Sequence, residues 1–262
     1  MKEEKTGRVM SAHQPNFLPY LGFFDKMMQS DIFIIRDECQ FCKRDYHHRN
    51  RIKIQGTNGN KEPNWTWLTI PVGKEEIDLK DVAIKNEVKQ KNVPWNVFMA
   101  RQIKSSYEKT LFFKEYYPKL ENILLSKNER LIDLTMDVVN FLKDSFKINT
   151  EIVYATQLPG YTKTFNASVD LANLTKAVDA DIYLSGSGGK TYLGLEPFEK
   201  QGIEVRFQEY NHPIYPQRFE GFAPYMAAID ALFNAGPGIF KTRSNKEDKK
   251  EENKKELQMQ QA

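Results

Sequence analysis

Apolar positions along this chain fall into two rhythms. Five short runs, Arg8–Ala12, Asp31–Arg36, Glu151–Ala155, Asp181–Leu184 and Glu204–Gln208, are compact enough to be buried strands. Between most of them the apolar residues recur at the helical period. Leu21, Phe24 and Met28 share one face of a helix expected over residues 21–29. Pro94 suits the start of the first of three helices expected near 94–108, 112–126 and 128–145, the last carrying Leu131, Leu134, Val138, Phe141 and Leu142 in register. Ser168 reads as the cap of a helix over 169–178, and shorter helices are expected near 192–201 and 223–234. Trp65–Val72 alternates as one more strand, and Thr57–Asn60 reads as a turn. Strands alternating with helices predict an α/β chain: a mainly parallel, Rossmann-like sheet with flanking helices and a helical insertion or cap around 94–146.

A chain of 262 residues is long enough for one sizeable core, and 17 Phe, 12 Tyr and 3 Trp can fill it. One domain is expected over 1–240. Residues 241–262, rich in Lys, Glu, Asn and Gln, cannot bury enough surface to fold alone and are expected to form a charged, disordered tail. The formal charge of +3 is small and mixed in sign, which makes no case for a nucleic-acid partner. The first ten residues lack an apolar stretch, and no run approaches the roughly 18 residues of a membrane span, so a cytoplasmic location is expected. Cys39 and Cys42 make no disulfide framework and read by default as two small buried thiols. With His47 and His48 beside them they lack the two spaced ligand pairs of a zinc site, and no metal ligand is assigned.

The chemistry-bearing residues gather where strands end. In open parallel sheets, ligands bind in the crevice at the carboxyl ends of the strands. His13 and Gln14 follow the first strand. His13 suits a general acid or base, against the plainer reading of a loop imidazole bonded to backbone. Ser185–Lys190 (SGSGGK) follows the fourth strand; Ser185, Gly186 and Gly188, with Tyr192, could offer an anion backbone N–H groups, or simply form a tight turn. Its spacing is neither a Walker A loop nor a dinucleotide fingerprint. After the second strand come Asp37 and Gln40, with Asp37 able to orient cations or bind a divalent ion. The basic stretch from Lys43 to Lys53 holds Asn50 and the bidentate candidates Arg49 and Arg51, although a charge run is commonly a solvated face. Tyr210 and His212 end the fifth strand, His212 as a second titrating group or part of a stiff turn. Asp230 and Asn234, at i and i+4, suit a buried hydrogen-bond role rather than catalysis.

Taken together, these segments resemble the WbqC-like protein family. The resemblance rests on His13, Gln14, Pro15, Phe17, Pro19, Gly22, Phe23 and Lys26, then on Asp37, Gln40, Phe41, Lys43, Asn50, Arg51 and Ile54. Three later blocks carry it on: Tyr183–Leu193, Tyr210–Gln217 and Asp230–Gly236. It spans residues 8–238 and leaves the tail outside. The two cysteines have no counterpart in the family pattern, which weakens thiol or metal chemistry further. What the resemblance implies is work in O-antigen or other surface-polysaccharide biosynthesis: a transferase placing an aminoacyl (glycyl) or acyl group on an amino-sugar nucleotide. Its partners would be a nucleotide sugar and an acyl or aminoacyl donor. His13 or His212 would be the base, with Asp37 as the third candidate for catalysis. The Gly186–Gly189 loop would hold the oxyanion, and Lys43, Arg49 and Arg51 would hold the diphosphate. Two alternatives stand beside it: an ATP-using nucleotidyl-transfer or ligase-like enzyme, with ATP and a divalent cation as cofactors, and a non-catalytic assembly protein of the same pathway.

Overall fold

The structure, a computed structural model, describes residues 7–56, 63–73 and 77–240; the predicted turn at 57–60 and the tail lie outside the described residues. β1 (Val9–His13) leads through a proline-bracketed loop into α1 (Leu21–Met28), and β2 (Ile32–Ile35) returns beside β1. A hairpin follows, β3 (Arg49–Ile54) antiparallel to β4 (Asn64–Thr69), and then a minimal pair, β5 (Lys89–Gln90) and β6 (Val93–Pro94). Next come α2 (Trp95–Tyr107), α3 (Phe113–Leu125), α4 (Leu131–Ser145) and β7 (Glu151–Tyr154). The chain closes with α5 (Ala167–Ala177), β8 (Ile182–Ser185), α6 (Glu196–Lys200), β9 (Glu204–Phe207) and α7 (Ala228–Ala235). The central sheet has the order β7-β2-β1-β8-β9, and every neighbouring pair in it is parallel. The α/β class and the parallel sheet read from the sequence are those of the molecule. Among the described residues no helix is long and apolar enough to cross a membrane.

The sheet is covered on both faces, and β2 shows why its sequence has no polar alternation. Successive side chains of a strand point to opposite faces. Phe33 and Ile35 enter the larger core with Phe23, Phe24 and the residues of α2, α3, α4 and α7. Ile32 and Ile34 enter a smaller core with Leu171 and Leu174 of α5 and Phe198 of α6. The three helices of residues 95–145 fall within a few residues of their expected bounds, because their apolar stripes are long and regular.

Several local expectations change. α5 is capped by Asn166, whose side-chain oxygen accepts from the Ser168 and Val169 N–H groups at 3.1 and 3.2 Å. Ser168 turns away and accepts from Gly194 N–H at 2.9 Å. The last helix starts at Ala228 rather than near 223, and α6 is only five residues long. The basic stretch is a solvated face only in its first half, where Lys43 and Arg44 are exposed. Its second half contains β3, where Arg49 to Ile52 alternate between partly exposed and buried under a density of charge that hides the pattern, and Lys53 is buried as well. Neither thiol is fully buried: Cys39 is half-buried and Cys42 exposed.

Asp230 is completely buried on α7 and accepts from Tyr107 Oη (2.8 Å), Tyr215 Oη (2.9 Å) and Gln217 Nε2 (2.7 Å). Asn234, one turn on, accepts from Arg218 N–H at 3.0 Å. These bonds fasten the irregular segment after β9 to α2 and α7, the hydrogen-bond role expected of the pair. Replacing Asp230 by Ala strands the two buried phenol donors of Tyr107 and Tyr215, each costing about 1–3 kcal/mol when left unpaired, while Gln217 Nε2 keeps the Ala223 carbonyl at 2.9 Å. Urea denaturation of Asp230→Ala should therefore show a loss of at least about 2 kcal/mol, and a stability within 0.5 kcal/mol of wild type, roughly the scatter of surface substitutions, would refute this role.

Candidate functional site

From β1 the chain moves outward through β2 to β7, and from β8 it moves the opposite way to β9. The strand order therefore reverses between β1 and β8, the place where open α/β sheets form a crevice. A cavity of about 570 Å³ opens there. His13 and Gln14 enter it from the end of β1, Ser185 to Gly189 from the end of β8, and Gln208 from the end of β9. Lys26 of α1, Arg36 after β2 and Asp170 of α5 complete its polar wall.

The His13 imidazole is locked by its neighbour. Nδ1 lies 2.8 Å from the Gln14 carbonyl oxygen, which can only accept, so Nδ1 carries the proton and Nε2 presents a lone pair. Among the described residues nothing hydrogen-bonds Nε2. Burial, with the Lys26 ammonium adding to it, pushes the His13 pKa down to about 3. Lys26 itself is buried, donates from Nζ to Ala12 O at 2.8 Å, and is brought down to about 7 by burial.

Gln14 is held from behind. His47 Nδ1 accepts from the Cys42 N–H at 3.2 Å, so its Nε2–H donates to Gln14 Oε1 at 2.9 Å. The Gln14 amide then meets the Cys39 thiol, whose pKa is raised chiefly by burial and drawn back by Arg36. Arg36 pairs closely with Glu38 and lies 3.7 Å from Asp170. Lys163 donates to the Glu38 carbonyl at 2.8 Å. The cavity wall thus carries Lys26, Arg36 and Lys163 against Asp170, a cationic excess.

The glycine turn opposite His13 is open where it matters. A Cβ on Gly186 or Gly188 would meet no atom within 4 Å, whereas one on Gly189 would collide with Ser185 Oγ at 2.1 Å. Gly22 performs a similar service for Tyr20: a Cβ there would sit 2.3 Å from the ring. Phe165 and Tyr192, 91% and 65% exposed, flank the mouth as solvent-facing rings.

A second cavity of about 420 Å³ lies between the β1–α1 loop and the hairpin, lined by Asn16, Tyr20, Tyr46, Asn50, Arg51 and Tyr225. Tyr20 lines both. His212 stands behind this second cavity, its ring 4.8 Å from that of Tyr225, with Nδ1 2.9 Å from Tyr210 Oη. The Tyr210 ring is 5.8 Å from that of Tyr20.

Of the residues singled out by sequence, His13, Gln14, Ser185, Gly186, Gly188 and Tyr192 meet in the first cavity. Asn50 and Arg51 line the second. Asp37, Gln40 and Lys43 line neither. The Asp37 carboxylate accepts from the Thr156 N–H at 3.1 Å and from its hydroxyl at 2.5 Å, and Gln40 bridges to Asp78 through backbone. Sequence reasoning did not single out Lys26, Arg36, Asp170 or Tyr20 as site residues. Lys26 left a signal, a lysine three residues after Phe23 on an otherwise apolar helix face.

The model of the WbqC-like protein family matches residues 14–241, most of the chain. The chain belongs to the WbqC-like protein family. A relative in Mycobacterium tuberculosis (strain ATCC 25618 / H37Rv), the uncharacterized protein Rv1507c, is 28% identical over 229 residues, covering 85% of this chain and 92% of its own. No solved structure matches the chain. The WbqC-like blocks map onto the walls just described: the first supplies His13, Gln14 and Lys26, the second Asn50 and Arg51, and the third the glycine turn.

All four histidines of the chain, His13, His47, His48 and His212, are depressed below the ordinary 6.5, foremost by burial, with His48 and His212 brought to about 4. Unfolded chains would therefore bind protons that the fold refuses between pH 6.5 and about 4, and the stability present above 6.5 is lost as pH falls. Thermal melts should show Tm falling steadily across that interval; a flat profile from pH 7 to 4.5 would contradict the neutral, buried state of these rings.

Proposed function

We propose that the first cavity transfers an acyl or aminoacyl group to the amine of an amino-sugar nucleotide, in the synthesis of a surface polysaccharide. The observation that carries this reading is the neutral His13 imidazole, its Nε2 unpartnered, facing an open glycine turn across a cationic cavity. The sugar amine attacks the carbonyl carbon of the donor. A C–N bond forms, the oxygen becomes an oxyanion, and the amine proton passes to His13 Nε2. The oxyanion is stabilised by backbone N–H groups at Gly186 and Gly188 and by the ammonium of Lys26. Collapse of the intermediate breaks the bond to the leaving group, which receives the proton back from His13.

A pKa near 3 makes His13 a weak base in the empty site. An anionic substrate next to the imidazole raises that value, because a neighbouring negative charge favours the protonated ring. Proton transfer is thereby tied to occupancy. Lys26, brought down to about 7 by burial, is drawn to its charged form by the same anion and supplies the cation that such a substrate needs.

The test is product formation by the full chain from UDP-linked amino sugars and a panel of acyl and aminoacyl donors, followed by mass spectrometry. His13→Ala should lower turnover by about a hundredfold or more, with a smaller effect on KM. Gly188→Ala, which fills open space at the turn, should weaken the reaction without unfolding the protein. Equal product from wild type and His13→Ala would defeat the mechanism, and no product from any pair would defeat the reaction.

A further inference from the structure

Arg51, which the family resemblance implies as a diphosphate ligand, stands apart from the first cavity, on the wall of the second. Its backbone is fixed at both ends, the N–H donating to Asn50 Oδ1 at 2.8 Å and the carbonyl accepting from the Ala227 N–H at 2.9 Å. Its guanidinium stacks over Trp65 at 5.0 Å and Trp67 at 5.8 Å. Among the described residues no carboxylate and no carbonyl accepts from this side chain, and its Nε is enclosed without a partner. The Nε is closed off from the cavity, so it is the terminal nitrogens of this wall residue, without an acceptor among the described residues, that a guest can meet.

The rest of the wall narrows the missing partner. Tyr20, Tyr46 and Tyr225 line the same cavity, Tyr225 holding its ring there from a backbone with φ of 58°. Tyr46 is fixed through its carbonyl, which accepts from the Phe17 N–H at 3.0 Å, and its ring lies 5.9 Å from Trp67. Among the described residues nothing hydrogen-bonds the Asn16 side chain on the same wall, which can meet hydroxyl groups. A purely apolar guest would leave the guanidinium unanswered, and a bare phosphate would leave three phenol rings unfilled. A ring that carries an oxyanion satisfies both, because guanidinium presents paired donors to phosphate and phenols stack on flat or pyranose faces. A volume of about 420 Å³ suits a small molecule rather than a polymer.

We propose that this second cavity is a binding site for a phosphorylated ring compound, a nucleotide or a sugar phosphate, with the phosphate on Arg51 and the ring among Tyr20, Tyr46 and Tyr225. This gives the phosphate role expected of Arg51 a pocket of its own, with a ring site beside it, and binding there does not require the transfer reaction. A chain that transfers nothing would still bind such a ligand here.

Isothermal titration of the full chain with UMP, glucose 1-phosphate, uridine, glucose and inorganic phosphate, at one ionic strength, tests the assignment. UMP or glucose 1-phosphate should bind, and the unphosphorylated ring or free phosphate should bind at least about tenfold more weakly. Stronger binding of UMP identifies a nucleotide site, and stronger binding of glucose 1-phosphate a sugar-phosphate site. Arg51→Gln should weaken the preferred ligand by about tenfold or more, and Tyr225→Ala by several-fold. Tyr225 is 48% exposed, so that variant keeps the fold even if Arg51→Gln does not. Binding should survive His13→Ala. The site assignment fails if neither phosphorylated ring binds, or if inorganic phosphate binds as tightly. It also fails if both cavity variants, with unchanged Tm, bind like wild type, or if His13→Ala costs as much as Arg51→Gln.

Discussion

The side-chain amide of Asn50 holds the most consequential contact in the molecule. From its buried place on β3 it donates to Leu18 O at 2.6 Å and, less closely, to Phe17 O at 3.5 Å. Leu18 sits at a φ of 48°, a conformation that a branched side chain seldom adopts without help. Two prolines stiffen the loop around it. The Ala228 N–H donates to Pro19 O and the Phe17 N–H to Tyr46 O, so hairpin, helix and loop are tied in one knot. This loop begins at His13 and Gln14 and ends at Tyr20. Both cavities therefore take their shape from a segment that the hairpin holds in place. The antiparallel hairpin, which adds nothing to the central sheet, matters for this reason.

The two cavities differ in how they treat charge. In the first, Arg36, Glu38, Asp170 and Lys163 answer one another, and Gln14 is braced by His47. Such a network orders the wall and is balanced in itself, two cations against two carboxylates, so the positive excess of the cavity rests on Lys26. Lys26 is the exception. It is buried, and among the described residues it meets a backbone carbonyl and the face of Phe33 but no carboxylate; burial depresses its pKa. In the second cavity the cation is supported by aromatic faces instead of carboxylates. Stacking fixes its plane and leaves its donors uncommitted.

The parts of this architecture legible in the sequence were those with a period. β2 reads Ile-Phe-Ile-Ile because both faces are covered, and α4 repeats its apolar stripe over four turns. The meeting of His13 with the glycine turn followed from strand ends in a parallel sheet, without knowledge of the strand order. β3 was obscured, since its outward residues are arginines and charge density masked the alternation. The Asn166 cap was passed over for a neighbouring serine of the same capping chemistry. The division of the site in two had no linear trace. Tyr20 and Tyr225 are brought together by a bridge between Tyr20 and Ala227, more than two hundred positions apart, and nothing in the local pattern announces it.

That one phenol serves as a partition has a thermodynamic corollary. The Tyr20 ring lies against Gly22, where any side chain would displace it. Guests on its two sides would be linked through it. Whatever posture one guest favours, the other must accept or oppose, and the coupling free energy would be identical read from either direction.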